Sequence, residues 1–407
     1  MESYIAEWLN LLFRWLHLIT GAAWIGTSFY FNWLNHNLRP STSEDRKAEG
    51  ISGELFAVHG GHFYQVSKYA GAPETLPETL HWFKYEAYFT WVTGVSLLSI
   101  VYYWGAEAFL IDPSVLPWDN TWQPITLSIS CLIGGWIIYD LLCKSPLGKR
   151  PVSFAVVGFC LMTAVAYGLT QVFAARAAYI HVGAMIGTMM AANVFFVIIP
   201  NQRKMVDAMS AGLEPNVSLG EMGAQRSLHN NYFTLPVLFI MVSNHFSMST
   251  YGHEWNWAIL AALSLIGAGA RHYFNLMHKG HHKVWILPAA ALAMFALAFV
   301  TKPQPMKYST ASSEKTTTHL IYSDIAPIIE KHCISCHAEP PNNPLWPMPT
   351  PPKGINLTRP EWVQKHAEQI MGQAVNSKTM PLANKTEMTD EERAKLGQWI
   401  MSGAHLE

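Results

Sequence analysis

Eight apolar runs of spanning length, basic residues confined to alternate loops, and a Cys-Ile-Ser-Cys-His pentapeptide near the C-terminus predict an all-α protein. Its parts are a polytopic membrane helix bundle and a small domain of class I-like cytochrome c type. The composition agrees. Half of the 407 residues are apolar and 14% are charged, where a soluble protein carries roughly a quarter charged residues. The net charge of −1 is unevenly placed, and no nucleic-acid partner is expected.

The runs lie near 8–33, 81–104, 124–143, 151–173, 177–199, 231–249, 256–276 and 284–301. Each is close to the roughly 20 residues that cross a bilayer as helix. The first is too long, and lacks the basic start, for a cleavable signal, so it is expected to remain as a spanning helix. The fourth and fifth are split only by Ala174–Arg176, a tight helical hairpin. Cys131, Cys143 and Cys160 sit singly in or beside these runs and read as small buried hydrophobes, not as a disulfide scaffold.

Orientation follows from Lys and Arg. The odd loops hold Arg39, Arg46, Lys47 and Lys68; Lys144, Lys149 and Arg150; Arg203, Lys204 and Arg226; Lys279 and Lys283. The even loops hold only Arg176. This places the odd loops in the cytoplasm and both termini on the periplasmic side of a bacterial inner membrane. Residues 1–301 then form the membrane domain. Residues 302–318, rich in Pro, Ser, Thr and Lys, form a flexible linker. Residues 319–407 form an outer domain.

In that domain Cys333 and Cys336 have the spacing for two thioethers to haem vinyl groups, and His337 supplies an axial iron ligand. A thioredoxin-like or zinc pair lacks a strand–helix context or a second Cys pair. Ser323-Asp324 caps a helix through Ile325, Ile328 and Ile329. Thr389 and Glu392 form a capping box for a last helix presenting Leu396, Trp399 and Ile400. Met380, in a polar loop, is the expected second axial ligand, with Met371 and Met388 as rivals. Covalent haem of this kind is attached outside the cytoplasm, which agrees with the charge count.

Histidines within the spans fall in two layers. His17, His181 and His245 lie in the outer half, and His81, His229 and His272 at the cytoplasmic ends. Such layers suit paired b-haem ligands; side chains reaching for the interfaces would give the same pattern. A faint echo (Gly26-Thr27 and Asn32 against Gly187-Thr188 and Asn193) suggests two four-helix repeats.

Three segments carry a resemblance: Arg14 to Tyr30 (RWLHLITGAAWIGTSFY), His59-Gly60-Gly61-His62-Phe63-Tyr64 with Lys68, and His81-Trp82-Phe83-Lys84-Tyr85-Glu86-Ala87-Tyr88. Together they resemble the bacterial membrane-bound urate oxidases, which join an eight-span domain to a cytochrome c. The resemblance covers essentially the whole chain. It implies oxidation of urate to 5-hydroxyisourate in purine catabolism, with electrons leaving through haem c to a soluble cytochrome or a terminal oxidase. No catalytic residue carries over from it.

Urate is a planar anion, and its site needs a cation, ring-edge partners, an aromatic wall and a base. The first cytoplasmic loop and the start of the second span offer these. Gly60-Gly61 would lend backbone amides, Lys68 and Lys84 charge, and His59, His62, His81 or Glu86 a base. A plain glycine turn with interfacial Lys84 and Glu86 is the competing reading. A cytoplasmic site lies roughly 30 Å from an outer haem and requires a further redox centre between them; a site near His17, His181 and Asn193 would not. Competing functions are a quinol or small-molecule dehydrogenase with the same haem outlet, or a permease or anchor carrying an electron-transfer cytochrome.

Overall fold

The computed structural model describes residues 2–71, 73, 75–302, 320–343 and 350–407. The expected linker, apart from Lys302, lies outside them. The described chain is mostly helical, with one two-stranded sheet.

The long helices are α1 (Glu2–Asn37), α2 (Tyr85–Leu98), α3 (Trp122–Lys144), α4 (Pro151–Thr170), α5 (Ala175–Ala192), α6 (Val217–Ser243), α7 (Asn256–His278) and α8 (Ile286–Val300). A π-turn, Ser99–Trp104, extends α2. A second, Asn193–Ile198, leads from α5 into Ile199–Ser210, so that Ala175–Ser210 is continuous. Three helices are long and apolar enough to cross a membrane: Trp122–Lys144, Pro151–Thr170 and Ala175–Ser210. Ile286–Val300 is apolar but shorter.

α5 is the central helix. Ala177, Ala178, Tyr179, Val182 and Ile186 are all buried, against Leu132 of α3, Ile240 of α6 and Leu260 of α7. Gly183 permits this, because a Cβ there would collide with Ile240. The outer helices are the reverse. α8 buries none of its residues, and Phe295 and Phe299 are 74% and 80% exposed. Apolar surface on that scale calls for a lipid or protein cover.

Two expectations change. The first odd loop departs from the expected all-α fold: it is a hairpin of β1 (Ile51–His59) and β2 (His62–Tyr69), closed by Gly60-Gly61. Both glycines have positive φ, 59° and 79°, as a two-residue hairpin turn that follows the strand twist requires. Arg46 anchors its base through Glu54 at 2.6 Å.

The sixth helix also starts and ends earlier than the apolar run at 231–249. It begins at Val217, capped by Asn216, and stops at Ser243. Arg226 therefore leaves the loop count and is buried inside α6. His245, expected within the sixth span, lies beyond the helix end and is exposed.

In the C-terminal domain α9 (Tyr322–His332) packs on α10 (Asp390–Met401) through Ile325, Ile329, Leu396 and Trp399. The capping box forms: Glu392 N donates to Thr389 Oγ1 at 3.2 Å, and Thr389 N to Glu392 Oε2 at 2.8 Å. Asp324 caps α9 by accepting from Ile321 N at 3.0 Å. This domain rests on the turns after α6. Ser247 Oγ donates to Gln373 Oε1 at 3.0 Å, and Gly252 leaves no room for a Cβ against Ser377. A cleft of about 1150 Å³ runs along this seam, lined in part by Asp112, Tyr251, Trp255, Lys378 and Arg393.

Candidate functional site

The hairpin separates the residues expected to converge. His59 pairs with His62 at the exposed tip, and Lys68 pairs with Gly53 six residues down the strand. At 3.3 Å per residue the tip lies roughly 20 Å from Lys68. Lys68 Nζ is held by Asn35 Oδ1 at 2.6 Å. His81 lies edge-on to Phe83, Lys84 sits 5.0 Å over the Tyr85 ring, and Glu86 occupies the first turn of α2. The glycine pair is thus the turn of the competing reading, and these six residues do not form one pocket.

Two buried polar clusters, which the sequence reading missed, lie among the helices. In the first, Arg226 of α6 donates to Asp140 of α3 at 2.7 Å and to Asn193 at 3.3 Å. Asn193 Nδ2 donates to Tyr139 Oη and Asn230 Oδ1, and Tyr139 Oη meets His229 Nδ1 at 2.8 Å. The cation is matched by a carboxylate.

The second joins α1, α6 and α7. Arg271 Nε donates to Asn231 Oδ1 at 2.9 Å, and Asn32 Nδ2 to Asn275 Oδ1 at 3.0 Å. The guanidinium carbon lies 4.0 Å from the Phe29 ring centre. Arg271, Asn231 and Asn275 are 4%, 3% and 4% exposed. Arg271 Nη2, Asn231 Nδ2, Asn275 Nδ2 and His278 Nδ1 have no hydrogen-bond partner among the described residues. Arg271, Asn275 and His278 share one face of α7 by their spacing of four and three. One signal for this was in the sequence: an arginine inside an apolar run is a functional candidate by default.

The span histidines do not behave alike. His17 Nδ1 donates to Thr90 O at 3.0 Å, tying α1 to α2, and His181 Nδ1 donates to Ala177 O at 2.7 Å. His181 is fully buried, and its Nε2 has no partner among the described residues. His229 and His272 instead meet the Tyr139 and Tyr232 hydroxyls, and His81 is exposed.

In the C-terminal domain Cys333 follows α9 and Cys336 sits in the single turn Ile334–His337. Burial, with repulsion from Cys336, pushes the Cys333 thiol up to about 12, and burial raises Cys336 too. A thioredoxin-like pair needs the opposite, a stabilised thiolate. Nor is there a group of three or more His, Cys, Asp or Glu suited to a metal ion among the described residues. His337 Nδ1 donates to Ile355 O at 2.8 Å, which leaves Nε2 as the free nitrogen. Burial lowers its pKa and keeps the ring neutral. Met380 is partly buried against the domain core, and Arg393 fixes its loop through Met380 O at 2.7 Å and Asn384 Oδ1 at 2.9 Å. Of the rivals, Met388 is buried in the core and Met371 begins a π-turn packed against it.

The chain is thus a helical bundle with three membrane-length helices joined to a small helical domain. The chain belongs to the urate oxidase N-terminal family, whose model matches residues 3–302. No curated protein and no solved structure matches it. Family membership makes the chain a urate oxidase-related oxidoreductase.

Proposed function

We propose that the chain is a membrane-bound urate oxidase of the plasma membrane that passes its electrons to a haem c in its own C-terminal domain. Urate gives up two electrons and two protons and takes oxygen from one water, yielding 5-hydroxyisourate. A soluble cytochrome or terminal oxidase then removes the electrons one at a time, and no peroxide forms. The observation that carries this reading is the union of two features. One is the family match over residues 3–302. The other is the Cys333-x-x-Cys336-His337 turn, with its His337 ring already fixed through Nδ1.

The residues fit such a group. Cys333 and Cys336 would hold haem c through thioethers, with His337 Nε2 and Met380 Sδ as axial ligands, and the group supplies one-electron redox chemistry. The chain's own part is to hold those ligands in place. Ile355 O orients His337, while Arg393 and Gln373 O secure the backbone of the Met380 loop.

In this proposal all eight long helices cross the bilayer, and the C-terminal domain lies outside. Its support is that this domain rests on the turns after α6 and on Ala106–Phe109 after α2, at the helix ends opposite the basic loops. A b-type haem within the helices would be held by His17 and His181, the two span histidines whose Nδ1 is committed to a backbone carbonyl among the described residues.

The test uses purified full-length protein, urate and an oxidised soluble cytochrome c. We expect hydroxyisourate with two cytochromes reduced per urate and no peroxide. Peroxide in step with urate loss would overturn the haem outlet. A pyridine haemochrome spectrum of the same sample counts c and b haems separately.

A further inference from the structure

We infer that the cluster of Arg271, Asn231 and Asn275 is the binding site for the urate anion, with Phe29 backing the guanidinium. The inference deepens the proposed function and rests on urate being the substrate. Three observations lead to it.

First, the cluster is built but unfinished. The three side chains are nearly inaccessible, yet Arg271 Nη2, Asn231 Nδ2 and Asn275 Nδ2 lack a partner among the described residues. A buried donor left unpaired costs about 1–3 kcal/mol, and more when charged, so three within one cluster point to a missing acceptor.

Second, the missing partner is an anion. The other buried arginine, Arg226, is matched by Asp140 at 2.7 Å. Arg271 has only the neutral Asn231 as a hydrogen-bond partner and no ion pair among the described residues. A charge inside a bundle is retained when it has a counter-charge to hold.

Third, the missing partner is flat and rich in acceptors. All three free atoms are N–H donors, and the guanidinium already lies 4.0 Å from the Phe29 ring centre. Urate presents three carbonyl oxygens and a deprotonated ring nitrogen on a planar frame, so a planar donor fork braced by an aromatic ring suits its edge. A further unpartnered atom, His278 Nδ1, lies two turns along the same face.

The experiment measures equilibrium binding of labelled urate to the full-length protein in detergent, together with KM. Arg271→Gln should raise Kd and KM by roughly tenfold to hundredfold, the span of one charge-assisted hydrogen bond. Arg271→Lys should recover part of that loss, and ascorbate should still reduce the c-haem in both. Asn275→Leu gives the same readout should Arg271→Gln not fold, with a smaller rise expected. Unchanged urate affinity in a folded variant would overturn the site. Loss of a non-covalent haem with urate affinity intact would assign the cluster to a cofactor's carboxylates, and would overturn it as well. Wild-type protein that neither binds nor oxidises urate would instead overturn the substrate reading beneath it.

Discussion

In the proposed haem c site a thioether forms only at a cysteine and the iron ligand beside it must be oriented, so Cys333, Cys336 and His337 would carry separable roles. Cys333→Ala/Cys336→Ala should abolish covalent haem on a haem-stained denaturing gel. His337→Ala should keep the stain but lose the native ligand set. Met380 is tested by its spectrum: Met380→Ala should remove the long-wavelength Met–Fe(III) band and lower the potential. Loss of the band in Met371→Ala instead would move the ligand to the π-turn. Glu392 gives a pH prediction. Its carboxylate accepts from Thr389 N–H, which holds it at about 2, below the ordinary 4.5. A depressed carboxylate stabilises the folded state fully above its unfolded pKa and loses that contribution as pH falls. The C-terminal domain should therefore lose stability between about pH 4.5 and 2, followed through its haem absorbance. Glu392→Gln should flatten that slope.

At the scale of elements, legibility tracked locality. The capping box at Thr389 and Glu392 was readable because both partners lie within one turn. The run at 284–301 likewise gives a local apolar helix, Ile286–Val300, though a shorter one than a full span. The sixth helix was misplaced for a physical reason. Its first half is polar by sequence, yet Arg226 and Asn230 are buried because Asp140, Asn193 and Met190 O satisfy them from other helices. For the Arg271 cluster the arginine itself is visible inside an apolar run, but its partners are not: Asn231 and Asn32 lie 40 and 243 residues from the groups they meet. The glycine pair misled in the opposite sense, since a tight hairpin turn and an anion-binding loop share the same residues. Orientation does not depend on these details. Without Arg226 the odd loops still hold most of the basic residues, against Arg176 alone in the even loops. A reporter enzyme active only in the cytoplasm should work when inserted at Gly60-Gly61 or in the 211–216 turn, and fail when joined after Glu407. The reverse pattern would invert the molecule.

At the scale of the whole molecule, the two domains pose a distance problem. Arg271 lies fifteen residues into α7, roughly 22 Å of helix from the end nearest the C-terminal domain. His181 lies six residues into α5, roughly 9 Å from the corresponding end. A redox group at the level of His181 would divide the path into two shorter steps, whereas a direct transfer across the whole depth is too slow for turnover. The central claim is that electrons from urate arrive on the chain's own covalent haem. The direct measurement is anaerobic mixing of the oxidised full-length protein with urate, watching the c-haem absorbance in a stopped-flow instrument. Reduction of that haem is expected without oxygen or any added carrier, and is expected to be lost in Arg271→Gln at low urate. A c-haem that ascorbate reduces but urate leaves oxidised would contradict the central claim.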